Sequence, residues 1–260
     1  MLPEYTPAFW VCAVVAVVFS GIAKAGFGGG VGMVATPLLA LTVPVTTAAG
    51  LMLPILMGCD VFAVRFYRQC FDRRNFKLLL PGAFIGVGTG AFFFDHFHDD
   101  QRVLQVGMGI LALAFVLVQA MHALLLKALK KRTPSPAEGV FMGALSGFTS
   151  TLAHAGGPPV NIFLLAQKLP RDQFVGTTVI FFACLNVIKL VPYCGLGLLR
   201  TDILATTVVL SPLCYVGVRL GIFLNRRFTK LWFDRTVYAL LFLTGVQLVL
   251  GESLLTAFFG

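Results

Sequence analysis

Charge is scarce in this chain of 260 residues: 12% of the sequence is charged, against 58% hydrophobic. A soluble domain carries about 25% charge, so that class is excluded. Stretches alternating apolar and polar over about ten positions, which a transmembrane β-barrel requires, are missing. The six cysteines at 12, 59, 70, 184, 194 and 214 show no paired spacing. They read as small buried hydrophobes rather than a disulfide framework or a zinc site. No H-E-x-x-H motif and no paired nucleophile and base stand in the sequence, so an intramembrane enzyme lacks its machinery. The tail before the first apolar run holds Glu4 and no base. Ala23-Lys24-Ala25 looks like a small-x-small cleavage site, but a signal peptide needs a basic leader. Residues 8–25 therefore read as a retained helix.

Long apolar runs dominate what is present. They fall at about 8–25, 46–64, 77–94, 102–126, 138–154, 172–194, 203–224 and 235–252, with shorter apolar pieces at 28–43 and 157–167. Runs of about 17–25 residues match the thickness of a bilayer. The expected fold is an all-α polytopic membrane protein, a single transmembrane domain over 1–260. It has about eight full spans plus two broken or short segments. The net charge of +9 sits in loops flanking the spans, so it is a topology signal and not a nucleic-acid surface.

The bases cluster in three loops. Arg65, Arg68, Arg73, Arg74 and Lys77 form one, Lys127, Lys130, Lys131 and Arg132 a second, and Arg226, Arg227, Lys230 and Arg235 a third. The 95–102 loop is instead acidic, with two histidines, His96 and His98, beside Asp95, Asp99 and Asp100. It reads as a solvated outer loop rather than a metal site. The positive-inside rule places the basic loops in the cytoplasm and the acidic one outside. An even number of crossings must separate 132 from 226, so the short 157–167 piece has to count in the topology. The same holds for 28–43, and both termini are expected outside.

Each half then contains an odd number of elements, about 8–126 and 138–252, joined by a linker at 127–137. The halves would be inverted relative to each other. Sliding the sequence by 126 superimposes Gly30 on Gly156, Val34 on Val160, Leu38-Leu39-Ala40 on Leu164-Leu165-Ala166, Pro44 on Pro170 and Gly50 on Gly176. At an offset of 131, Pro81, Gly86, Val87 and Gly90 meet Pro212, Gly217, Val218 and Gly221. Arg102 meets Arg235 at 133. Matching glycine-rich breaks in duplicated halves mark the binding site of a transporter near the bilayer midplane.

Two of these motifs carry a family resemblance. Gly26-Phe27-Gly28-Gly29-Gly30 leads to Thr36-Pro37-Leu38-Leu39, and Gly147-Phe148 leads to Gly156-Gly157-Pro158-Pro159-Val160. The chain resembles the TauE/SafE sulfite exporters, bacterial inner-membrane proteins of four plus four helices. The resemblance implies export or uptake of sulfite, organosulfonates or other small sulfur-containing or carboxylate anions by alternating access. Before the GGPP segment, where relatives carry small residues, this chain has Thr149-Ser150-Thr151-Leu152-Ala153-His154-Ala155.

The breaks supply anion chemistry directly. A helix starting in mid-membrane presents unpaired N–H groups and a positive dipole end. Gly28, Gly29, Gly30, Gly156, Gly157 and Pro158 are the expected substrate-binding backbone. His154, Asn161 and Asn186 are side-chain candidates, the two asparagines having the alternative of an interhelical hydrogen bond; Arg219, able to grip an oxyanion bidentately, ranks above Lys189 but has the alternative of snorkelling to the cytoplasmic end. Lys24 either attracts anions or snorkels to the cytoplasmic face. Asp60 and His154 are candidates for proton or cation coupling; Asp60 has the alternative of pairing with Arg65. Gly86, Gly90, Gly217 and Gly221 are assigned to helix packing. The expected partners are a small anion and the lipid bilayer, with no cofactor; a homo-oligomer fits as well. A non-transporting membrane scaffold is the second reading of the chain.

Overall fold

A computed structural model describes residues 5–26, 32–121, 134–227 and 230–251. Gly28, Gly29, Gly30 and most of the 127–137 linker lie outside the described residues. In chain order the helices are α1 (Pro7–Gly26), a 3-10 turn (Gly32–Val34), α2 (Ala35–Ala40), α3 (Val45–Tyr67), α4 (Arg73–His96) and α5 (Gln101–Ala120). The second half contributes α6 (Pro136–Ala153), α7 (Gly157–Ala166), α8 (Arg171–Gly195), α9 (Thr201–Arg227) and α10 (Lys230–Leu250).

The described residues are mostly helical with no strand among them, and the described part of each apolar run lies largely in a helix. Among the described residues six helices, α1, α3, α4, α5, α8 and α9, are long and apolar enough to cross a membrane. Sequence patterning expects about eight spans. The other two expected positions hold α6, rich in hydroxyl residues and glycine, and α10, whose described apolar stretch is Arg235–Leu250. Several helix starts are locally encoded. Asp72 accepts from the Asn75 N–H at 2.7 Å, Asp100 from Arg102 and Val103 at 3.1 Å, and Ser135 from Glu138 at 3.2 Å. Each satisfies a first-turn amide that has no intrahelical partner.

The helices associate in four main pairs: α4 with α6, α1 with α9, α5 with α10, and α3 with α8. Lipid tails are as apolar as leucine, so close backbone approach must supply the attraction that water exclusion supplies elsewhere. Glycine permits it. A Cβ on Gly86 would overlap the Ala144 carbonyl across the α4–α6 seam, and one on Gly147 would overlap that of Ala83. At the α1–α9 seam a Cβ on Gly21 would come within 2.8 Å of the Gly217 backbone. The assignment of Gly86, Gly90, Gly217 and Gly221 to packing agrees with these contacts. Outward faces are apolar instead, with Phe92 74% and Val191 79% exposed.

In the centre, α3 and α8 lie antiparallel. Gly50 packs against the Leu198 carbonyl, Asn186 bonds Asp60, and Gly176 packs against the Cys70 carbonyl. Numbers rise along one helix as they fall along the other, so the pair crosses with residues 60 and 186 facing each other.

Candidate functional site

The second break is built by local chemistry. α6 ends because His154 adopts a left-handed conformation, φ 52°, a region that glycine enters freely and other residues seldom do. In mid-bundle the freed backbone groups must find partners or cost several kcal/mol each. They find them on α6 and α8. Ser146 donates to the Gly156 carbonyl at 2.8 Å, and the Thr149 hydroxyl lies 3.2 Å from the Ala155 carbonyl. Tyr193 donates to the Thr151 carbonyl at 2.7 Å. Hydroxyl groups of Ser146, Thr149 and Tyr193 thus hold the break together.

α7 begins at Gly157 with Pro158 and Pro159 in its first turn. Two of the four amides that a helix start leaves unpaired are therefore missing, and the free donors are those of Gly156 and Gly157. A Cβ on Gly156 would stand 2.6 Å from Ser146 Oγ. Its glycine is required by packing on α6, besides any approach of a ligand. Asn161 lies one turn into α7, and its Oδ1 is buried without a hydrogen-bond partner.

Lys189 on α8 is wholly buried and points at the end of α6. It donates to the Ser150 carbonyl at 3.1 Å, to Ser150 Oγ at 3.0 Å and to His154 Nδ1 at 3.1 Å. The negative end of the α6 dipole favours a cation there. His154 Nε2 reaches the Ala49 carbonyl on α3 at 3.2 Å, and its ring stacks on Tyr193 with centroids 6.0 Å apart.

One turn away on α8, Asn186 donates to Asp60 Oδ2 at 2.7 Å. The other carboxylate oxygen, Oδ1, takes the buried ammonium of Lys24, which also donates to the Leu56 carbonyl at 2.8 Å. Lys24 belongs to the last turn of α1, just before the first break. A line of polar groups therefore runs from the flank of one break through α3 and α8 to the other.

Of the sequence candidates, the bundle brings together His154, Gly156, Gly157, Asp60 and Asn186. Pro158 and Asn161 are on α7 beside them. Gly28, Gly29 and Gly30 fall outside the described residues. Arg219 is set apart: it is exposed on α9, with its guanidinium 5.9 Å from the Tyr215 ring. Asp60 pairs with Lys24, and Arg65 is exposed, so the Asp60–Arg65 alternative fails. Lys24 is buried in that pair and does not snorkel. Lys189, which the sequence reading ranks below Arg219, faces inward; Ser146 and Tyr193 are not singled out by the sequence. An intramembrane lysine is itself a functional signal, but only packing could say which of two bases faces inward. Cys59 and Cys214 are buried free thiols, Cys12 and Cys184 are half-buried, and Cys70 and Cys194 are exposed; the reading of all six as buried therefore holds only in part.

A multi-pass helical membrane protein with polar residues gathered at a helix break is the class these features define. The family model described as sulfite exporter TauE/SafE matches residues 13–248, and the chain belongs to that family. Searches of curated proteins and of solved structures found no match.

Proposed function

We propose that this protein is a bacterial inner-membrane transporter, working as an exporter of small anions such as sulfite, organosulfonates or related sulfur-containing or carboxylate anions. The observation that carries the reading is the Ala153–Gly157 break, flanked by the buried cation Lys189, in a chain that an exporter family model matches over 13–248. The N–H groups of Gly156 and Gly157 and the α7 dipole favour negative charge. Asn161 offers an amide beside them. A monoanion leaving an inside-negative cell gains about 2.3 kcal/mol per 100 mV, roughly 50-fold accumulation outside with no coupling ion.

The mechanism we assign is alternating access by two inverted repeats, 8–126 and 138–252, with both termini outside. Support comes from the helix pairs. Exchanging α1 to α5 with α6 to α10 turns the α1–α9 pair into α6–α4, and maps α3–α8 and α5–α10 onto themselves. The same exchange turns the Gly21–Gly217 contact into Gly147–Gly86. A two-fold relation makes the two conformations of such a carrier equivalent in packing.

Lipid vesicles containing the purified protein, loaded in turn with sulfite, thiosulfate, sulfoacetate and small carboxylates, test the proposal. Saturable, ligand-specific efflux is expected. Its absence across the whole panel sinks the transporter reading and favours the scaffold.

A further inference from the structure

Around the second break every buried hydroxyl is engaged. Ser146 bonds the Gly156 carbonyl, Thr149 the Leu145 carbonyl, Thr151 the Gly147 carbonyl and Tyr193 the Thr151 carbonyl, and Ser150 Oγ accepts from Lys189. Among the described residues, the buried hydroxyls without a hydrogen-bond partner are Ser20 Oγ and Thr36 Oγ1. Neither residue has any exposed surface. They stand on either side of the first break, Ser20 on α1 and Thr36 on α2. A hydroxyl taken out of water and left unpaired is a standing cost to the fold. Two such groups flank one break.

Val18, Gly21 and Ile22 meet α9. At about 3.6 residues per turn, position 20 falls on the opposite side of α1, in line with Lys24 one turn later. From that side Lys24 reaches the Leu56 carbonyl and Asp60 on α3. Thr36 lies in the short helix after the break, which packs against both α1 and α3. Helical hydroxyls elsewhere in the bundle, those of Thr151 and Thr178 for example, return to the carbonyl four residues back. Ser20, in mid-helix, does not. The sequence offset of 126 sharpens the contrast. Ser20 corresponds to Ser146, whose hydroxyl is committed to the Gly156 carbonyl, and Thr36 corresponds to Ile162, which has no hydroxyl. The pattern of the second half therefore accounts for neither free group.

We infer that Ser20 and Thr36 are ligands of the transported anion, their hydroxyls donating to its oxygens from the side of the first break. The second break supplies the N–H groups of Gly156 and Gly157. Ser20 and Thr36 add two O–H donors carried by side chains. These donors are neutral, so they serve singly and doubly charged oxyanions alike. Each gains a bond to a charged acceptor, stronger than a bond between neutral groups. An oxyanion in the site relieves the cost of both unpaired hydroxyls at once, which makes the loaded site more stable than the empty one. The inference rests on the transporter reading above and deepens it by naming two further ligands.

Stability and affinity together separate a ligand from a structural hydroxyl. Ser20→Ala and Thr36→Val each remove the hydroxyl with little other change. In detergent without anion, both variants are expected to melt at or above the wild-type temperature, because an unpaired buried polar atom has gone. Ser146→Ala, which strips a bonded hydroxyl, is expected to melt lower. Added sulfoacetate is expected to raise the wild-type melting temperature, and to raise that of the Ser20→Ala, Thr36→Val double variant less. In the vesicle assay with sulfite and sulfoacetate, each single variant is expected to raise the half-saturating concentration about tenfold or more, the loss of one hydrogen bond to a charged group. Thr36→Ser keeps its hydroxyl and is expected to keep wild-type half-saturation. Melting below wild type without anion, as for Ser146→Ala, or failure to fold, overturns the assignment of that residue and leaves the transporter reading intact. So does unchanged half-saturation in a folded variant. An equal sulfoacetate shift in the double variant overturns both assignments. Absence of saturable wild-type flux for every anion overturns the transporter reading, and the two ligands with it.

Discussion

Asn186 donates a hydrogen bond of 2.7 Å to Asp60, a residue 126 positions earlier in the chain. The same offset superimposes the two glycine-rich breaks. In the inverted-repeat arrangement proposed above, equivalent positions touch only where the two halves meet on their common axis, which would put this bond at the centre of the bundle. It also ties Lys24 to α8, because Asp60 holds both partners at once.

The stability of that centre is expected to depend on keeping both charges or neither. Asp60→Asn leaves the Lys24 ammonium buried without its counter-ion, which costs about 3–5 kcal/mol. Removing Lys24 as well, as Lys24→Met with Asp60→Asn, is expected to recover most of the loss. Melting temperatures in detergent measure this. Additive losses in the double variant would show that the pair is not coupled.

At position 154 the usual order of alanine and glycine reverses. A left-handed residue costs a non-glycine side chain about 1–2 kcal/mol, and His154, with φ 52°, offsets this through its ring contacts with Ala49 and Lys189. His154→Ala loses those contacts and keeps the strain; His154→Gly loses the contacts and the strain. We expect the glycine variant to melt higher than the alanine variant. The opposite order would contradict the left-handed cap.

Helix packing separates glycines that look alike in sequence. Gly86→Ala drives a Cβ into the Ala144 carbonyl, while Gly88 has nothing within 4 Å of the position a Cβ would take. Overpacking costs about 1–3 kcal/mol or more where the obstacle is backbone. Gly86→Ala is therefore expected to lower the yield of monodisperse protein on size exclusion, with Gly88→Ala matching wild type.

The breaks are expected to tolerate insertion into the membrane but not bulk. Gly156→Leu collides with Ser146 and should abolish vesicle flux with membrane insertion intact. The repeat extends the same expectation to Gly30→Leu. Normal flux in both variants would remove the breaks from the site.

His98, in the loop between α4 and α5, donates to the Asp95 carbonyl and lies beside the Asp99 carboxylate. The hydrogen bond first, and then the negative charge, raise its pKa above the ordinary 6.5. A raised histidine pKa favours the folded state at pH below the unfolded value, and the effect is lost as pH climbs through the folded value. An NMR titration should place the His98 midpoint above 6.5, and His98→Gln should flatten the dependence of melting temperature on pH in that window.

Much of this was legible in the chain. Helix positions follow from apolar runs of membrane length because a bilayer leaves the backbone no other way to satisfy its own polar groups. The second break was legible for the same reason: Gly156-Gly157-Pro158-Pro159 cannot continue a helix. The 126-residue offset between Asp60 and Asn186 was visible too, though not the bond between them. The site's cation was harder to read. Lys189 and Arg219 are both bases within apolar runs, and the helical repeat alone does not say which side of α8 or α9 meets the bundle.

Composition, charge placement and the two glycine-rich breaks, then, determined a helical membrane protein, since these depend only on local sequence and on the bilayer as solvent. The tertiary structure alone decided which charges meet. It put Lys24 on Asp60, Asp60 on Asn186, and Lys189 on the open end of α6 beside His154, while leaving Arg219 on an outer face. Those outcomes depend on how α1, α3, α6 and α8 rotate against one another. Glycine contacts between helices far apart in the chain set that rotation.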